Sequence, residues 1–179
     1  KRNEGENDDY LCRLIRLDDI DKFIAFVEQT NLSLESTINK SIFETNPLLM
    51  RYKDLSLFEY AIFFGSIKII KYMKIKGIEL KSYMWYYAIH SQNSELIEFL
   101  ENNHVSLPIR FHSDKYNEIL IESIRCHHND FTYYLIENLI KKEDINYDCI
   151  YKCCIECCNY YFFPENKNFK NLFFYLCEY

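Results

Sequence analysis

An all-α solenoid of stacked helix pairs is the fold class this sequence predicts. Three observations predict it: a repeated block, apolar residues at helical spacing, and capping residues at the expected helix ends. The block Leu57 to Met73 recurs as Met84 to Leu100 in its apolar and small positions, so that Ala61, Ile69 and Met73 return as Ala88, Leu96 and Leu100. The offset is constant at 27 residues. A fixed period of this size marks a helical hairpin that cannot bury its apolar face alone and must stack on copies of itself.

The elements follow in order. Residues 1–8 are charged and Asn/Gly-rich, with no apolar period, and are expected to be disordered. A first pair is expected over 9–30. Tyr10, Leu11, Leu14 and Ile15 open its first helix, and Ile20, Phe23, Ile24 and Val27 its second, behind Asp18-Asp19 as an N-cap. Ile15 is aligned with Ala61 and Ala88. Residues 31–55 are an insertion, in which Leu34, Ile38 and Ile42 fall at i, i+4 and i+8 after Ser33. That spacing predicts a short extra helix ending before Asn46-Pro47.

The next two pairs, over 56–77 and 83–104, are the most regular, with helices near 56–64, 67–76, 83–91 and 94–102. Ser66 and Asn93 stand where a side-chain oxygen can cap each second helix. Gly77 suits a left-handed end, a place taken one period later by Asn103 or His104. A fourth pair is expected over 116–141, beyond Pro108, with Ile119, Leu120 and Ser123 in the first-helix positions and Phe131, Tyr134 and Leu135 in the second. A fifth covers 147–179: a helix from Ile150 to Tyr161, a break at Pro164, and a last helix from Asn168 to Tyr179.

Composition excludes several function classes. A net charge of −6 and a pI near 5.4 oppose binding to nucleic acid. Gly5, Gly65 and Gly77 are too scattered for a phosphate-binding loop. No apolar run is long enough to span a bilayer, and the polar N-terminus lacks the apolar core of a signal peptide. The chain begins with Lys1 and is expected to be a piece of a longer protein. Eight cysteines without a secretory signal favour free thiols in a reducing, intracellular compartment. The sequons at Asn31 and Asn39 then have no role.

Ser56-Leu57-Phe58-Glu59-Tyr60-Ala61, followed by Gly65-Ser66, resembles the T-P-L-H-x-A opening and following Gly-His of ankyrin repeats. Together with Phe43-Glu44-Thr45-Asn46-Pro47 and the stretch Ser123 to Asp130, it resembles a divergent ankyrin-type domain of unknown function found in large protist families. The resemblance covers most of Asp9 to Ile140. Thr-Pro and the repeat-ending Ala-Asp-Val-Asn are missing, and the period is shorter than the usual one of about 33. Short or absent β-hairpin fingers are therefore expected. The resemblance implies a non-enzymatic, cofactor-free scaffold for a protein partner, and in such stacks the partner meets the end of the first helix. By alignment those positions are Phe63 and Phe64, His90 and Ser91, then Arg125 and Cys126.

Other constellations have plainer readings. Cys149, Cys153, Cys154, Cys157 and Cys158 crowd one expected helix and define the alternative function, a thiol-based metal or redox module centred on Cys149–Cys158. Ligands strung along one helix do not converge on an ion, and small buried thiols suit tight helix packing, so core packing is preferred. His127 holds the place of Gly65, which gives it a turn role rather than a ligand role. No catalytic signature such as H-E-x-x-H or G-x-S-x-G occurs. Lys68, Lys71 and Lys74 return as Glu95, Glu98 and Glu101, which predicts an ion-pair ladder with Lys71 opposite Glu98.

Overall fold

Side chains with a free oxygen start the helices. The computed structural model describes residues 5–51, 54–108 and 118–162. Its helices are α1 (Tyr10–Arg16), α2 (Ile20–Thr30), α3 (Pro47–Arg51), α4 (Leu57–Phe63), α5 (Ile67–Ile75), α6 (Trp85–Ser91), α7 (Ser94–Asn102), α8 (Glu118–Arg125), α9 (Asn129–Tyr134) and α10 (Tyr147–Glu156). The Asp9 carboxylate accepts from the Leu11 N–H at the start of α1, and Asp19 from the Lys22 N–H in α2. Ser56 and Glu59 form a reciprocal capping box on α4. Asn93 and Asn146 do the same job singly for α7 and α10. Each such cap is worth about 1 kcal/mol. The fold is all-α: the described residues contain no strand, only an isolated antiparallel bridge between Thr37 and Ser56.

The chain divides after Ser106 into two units. In the first, α4 packs against α1 on one side and α6 on the other, while α2 and α5 lie against their own first helices. The buried core includes Ile15, Phe23, Phe58, Tyr60, Ile70, Trp85 and Leu96. In the second unit α8 packs against both α9 and α10, around Ile119, Ile124, Leu135, Ile150 and Cys154.

The repeat is set by its turns. Asp18, Gly65, Gln92, His127 and Cys158 all have positive φ, between 49° and 66°, each just beyond a first helix. At four of these turns the same two backbone bonds close the helix, as where Gly65 N–H donates to Ile62 O and Ser66 N–H to Ala61 O. The equivalent pairs run from Asp18 and Asp19 to Ile15 and Leu14, from His127 and His128 to Ile124 and Ser123, and from Cys158 and Asn159 to Ile155 and Cys154. Leu14, Ala61, Ala88, Ser123 and Cys154 therefore share one position, and all five are buried. This corrects the alignment of Ile15 with Ala61 by one residue. The sequence signal at the first turn is ambiguous because Leu14 and Ile15 are both large and apolar.

Glycine occupies this turn once, and the geometry explains why. A Cβ on Gly65 would stand 3.0 Å from the Cβ atoms of both Ser91 and Asn93. Gln92 adopts the same left-handed backbone with a side chain, at a cost of about 1–2 kcal/mol. Gly65→Ala should thus destabilise the protein by about 1–3 kcal/mol, whereas Gln92→Gly should be neutral or stabilise it by up to about 1 kcal/mol. Thermal melts of the two variants check this. A tolerated Gly65→Ala would contradict the close approach of the turns.

Several expectations need correction. Residues 5–8 are ordered rather than disordered: Thr45 N–H donates to Gly5 O, Ser41 Oγ to Asp8, and buried Asn7 donates to Asn39 O. Residues 1–4 lie outside the described residues. The helix expected over Leu34, Ile38 and Ile42 does not form: Leu34 and Ile42 lie in turns, and the chain between is extended at residues 36–38, pairing Ile38 N–H with Leu55 O and Leu57 N–H with Ser36 O. A spacing of four suits a period of two as well as one of 3.6. Asn46-Pro47 opens a helix rather than closing one, because proline is at home in the first turn and Asn46 caps it.

The helix expected from Ile150 to Tyr161 runs over Tyr147–Glu156 and gives way to the left-handed turn at Cys158. The last helix, Asn168 to Tyr179, and the break at Pro164 lie outside the described residues. His104, not Asn103, takes the left-handed place of Gly77. Lys71 pairs with Glu95 at 2.6 Å, one turn short of Glu98. Helical side chains lean towards their own N-terminus, and the long lysine stem carries that lean a full turn further. Both groups are about half exposed, so the pair contributes about 0–1 kcal/mol.

Candidate interaction surface

The expected partner-binding residues lie at the ends of first helices, most of them in the first unit and Arg125 in the second. In the first unit α1, α4 and α6 lie in order, and so do their last residues. The Arg16 guanidinium sits 5.9 Å from the centre of the Phe64 ring. Phe64 meets Phe63 edge-on at 5.0 Å, and Phe63 stacks on His90 at 5.0 Å with the planes 23° apart. The result is a row of Arg16, Phe64, Phe63 and His90. Each ring pair adds about 0.5–1.5 kcal/mol beyond its buried area.

The row rests on a hydrogen-bonded edge. Ser66 stands at the N-cap of α5 but does not cap it. Its hydroxyl donates instead to Ile15 O at 2.6 Å, back in the preceding turn. The cap is supplied by Asp18, whose carboxylate accepts from the Lys68 and Ile69 N–H groups at 3.1 and 3.0 Å. One turn therefore satisfies the helix start of the next, which pins the two against sliding. Asn93 Nδ2 donates to Gly65 O at 2.8 Å and continues the pattern. In the second unit Asn159 Nδ2 donates to Ile124 O at 2.9 Å, and His127 Nε2 lies 3.0 Å from Cys157 O.

The expected binding residues are not alike, and Cys126, the sixth of these positions, is half-buried. Phe63 is buried, packed between Phe64 and His90, and serves the fold before any partner. Phe64 and His90 are half-buried and present an edge. Ser91 Oγ is spent locally, donating to Ala88 O and accepting from Asn93 N–H. Arg125 is exposed and makes a loose 3.7 Å contact to Glu122. The corrected register adds Arg16 and Leu17, which the sequence alignment passed over. Leu17 is 70% exposed and holds the position of Phe64. An apolar residue directly before an Asp-Asp turn was the available signal.

Two cysteines of the second unit face inward, while Cys158 at the turn is exposed. Cys153 and Cys154 are buried, and Cys157 lies half-buried at the turn with its sulfur 4.0 Å from that of Cys153. Burial, reinforced by neighbouring Cys157, pushes the Cys153 and Cys154 thiols up to about 12, and burial with Glu122 does the same to Cys126. In the first unit burial and Asp9 hold Cys12 up to about 12. Such thiols stay protonated at neutral pH and behave as small apolar side chains.

Set against known proteins, the chain matches no family model, no curated protein and no solved structure. No helix among the described residues is long and apolar enough to cross a membrane.

Proposed function

We propose that this chain is an ankyrin-like solenoid acting as a non-enzymatic module that holds a protein partner, inside the cell, through the ends of its first helices. The observation that carries the reading is the five-fold recurrence of one helix, left-handed turn and polar start, with turn edges tied to their neighbours. Such an edge presents side chains in fixed order at little entropic cost on binding. An aromatic or arginine residue, the usual energetic anchor of interfaces, stands on such an edge in each unit, Phe64 in the first and Arg125 in the second. The alternative thiol-based reading has less beneath it, since the most buried sulfurs are held in the protonated form that neither binds metal nor attacks disulfides.

The test compares the parent chain with Leu17→Ser, His90→Gln and Arg125→Ala, each immobilised and exposed to an extract of the source cell. At least one protein retained by the parent should bind one of these variants about fivefold or more weakly, with the melting temperature unchanged. Equal retention by all three, with loss on replacing Lys68, Lys71 and Lys74 instead, would place the binding face on the second helices and overturn this assignment.

A further inference from the structure

A second surface lies in the unit beyond Ser106 and is independent of the row formed by Arg16, Phe64, Phe63 and His90. Asn159, only 3% exposed, donates to Ile124 O and to Asn129 Oδ1, both at 2.9 Å. This buried amide fixes the short 3₁₀ turn Tyr160–Phe162 against the start of α9. The turn delivers two rings to Tyr133. Tyr161 meets it edge-on at 5.8 Å and 88°, Phe162 lies 5.3 Å from it, and Tyr161 and Phe162 are 5.2 Å apart. Tyr133 and Tyr161 nevertheless remain 49% and 59% exposed.

Among the described residues, the charged side chains placed on the Tyr133 face by the helix spacing are both acidic. Asp130 precedes Tyr133 by three residues in α9, and Glu137 follows it by four in the wider π-helical turn Leu135–Leu139 that continues α9, which brings both close to its face, and both are exposed. Neither carboxylate is paired with a cation among the described residues. Lys152, on the next helix, reaches only towards Glu156, at 3.9 Å. Aromatic faces flanked by unpaired carboxylates attract a desolvating cation twice over, through the ring quadrupole and through charge. A purely apolar partner would leave both carboxylates to be desolvated without compensation.

We propose that Tyr133, Tyr161 and Phe162, flanked by Asp130 and Glu137, form a docking surface for a basic segment of a partner protein, one that places an arginine or lysine side chain over the Tyr133 ring. The rings supply the contact area, and the carboxylates supply the orientation and the preference for positive charge. The Asn159 anchor holds the rings in place before the partner arrives, which limits the ordering cost of binding.

The test uses the full chain and an acetylated tetra-arginine amide, with its citrulline counterpart as a neutral probe of the same shape. Titration followed by NMR should shift the Tyr133 and Tyr161 ring signals saturably, and the citrulline peptide should bind about tenfold or more weakly. The Tyr133→Ala/Tyr161→Ala double variant should lose about fivefold or more in affinity, whereas Tyr133→Phe/Tyr161→Phe, which keeps the rings, should bind as the parent does. Asp130→Asn/Glu137→Gln should weaken binding about fivefold and flatten its salt dependence. The comparison of the two peptides on the unaltered chain needs no variant to fold. Equal binding of the arginine and citrulline peptides, arginine binding indifferent to loss of the two rings, or shifts confined to residues before Ser106 would each overturn the proposal. The last two results would mark a diffuse attraction to an acidic chain.

Discussion

Replacing Trp85 with alanine should destabilise the first unit by about 3–5 kcal/mol, the range expected for truncating a fully buried tryptophan. Trp85 opens α6, is 1% exposed, and lies where α6 meets α4. Its indole N–H donates to Val105 O at 3.0 Å and so ties down the chain leaving α7. Alanine would remove about 150–250 Å² of buried ring surface, open a cavity, and leave the Val105 carbonyl without that donor. Trp85→Phe should restore most of the packing and forfeit only the hydrogen bond, at a cost of about 1–2 kcal/mol. Since Trp85 is the single tryptophan of the chain, urea unfolding should be followed by far-ultraviolet circular dichroism rather than fluorescence. A loss below about 1 kcal/mol in the alanine variant would mean that α6 does not pack on α4 as described.

Arg16→Ala should cost about 2–4 kcal/mol and release the segment before α1. The guanidinium donates to Asn7 O at 2.6 Å and Tyr60 Oη at 2.8 Å, pairs with Glu6 at 2.8 Å, and covers one face of Phe64. Its side chain is 13% exposed, so these bonds are largely shielded from water. Truncation strands the Asn7 carbonyl and the buried Tyr60 hydroxyl together, and unpaired buried groups cost about 1–3 kcal/mol each. Lysine cannot repeat the three-way fork and should recover only part of the loss. Amide hydrogen exchange should show residues 5–9 exchanging faster in Arg16→Ala while α7 keeps its protection, because Arg16 makes no contact there. Unchanged exchange in that segment would show that residues 5–9 are held by Thr45, Asn39 and Ser41 alone.

The sequence carried the repeat as chemistry rather than as detail. Ala61 and Ala88 announced a buried position four residues before each turn, and Leu14, Ser123 and Cys154 prove to share it. The helix starts were legible at α2 and α7, where Asp19 and Asn93 cap their own helices. They were misread at α5, where the cap comes from Asp18 in another hairpin and Ser66 turns back to Ile15. The exposed aromatic group at Tyr133 gave no periodic signal, because Tyr161 and Phe162 join it only through the buried Asn159.

What the sequence determined by itself was the local order: all-α class, the period of 27 and the placement of most helices. Each of these follows from interactions within about one turn, where residue type and spacing are sufficient. Only the tertiary structure decided the register of the first turn, the extended course of residues 36–38, the ordering of residues 5–8 and the pairing of Lys71 with Glu95 rather than Glu98. All four depend on groups brought together by tertiary contacts, with a neighbouring hairpin or with the insertion. Their free energies are comparable with those of the competing arrangements, so only the geometry of the neighbouring hairpin selects between them.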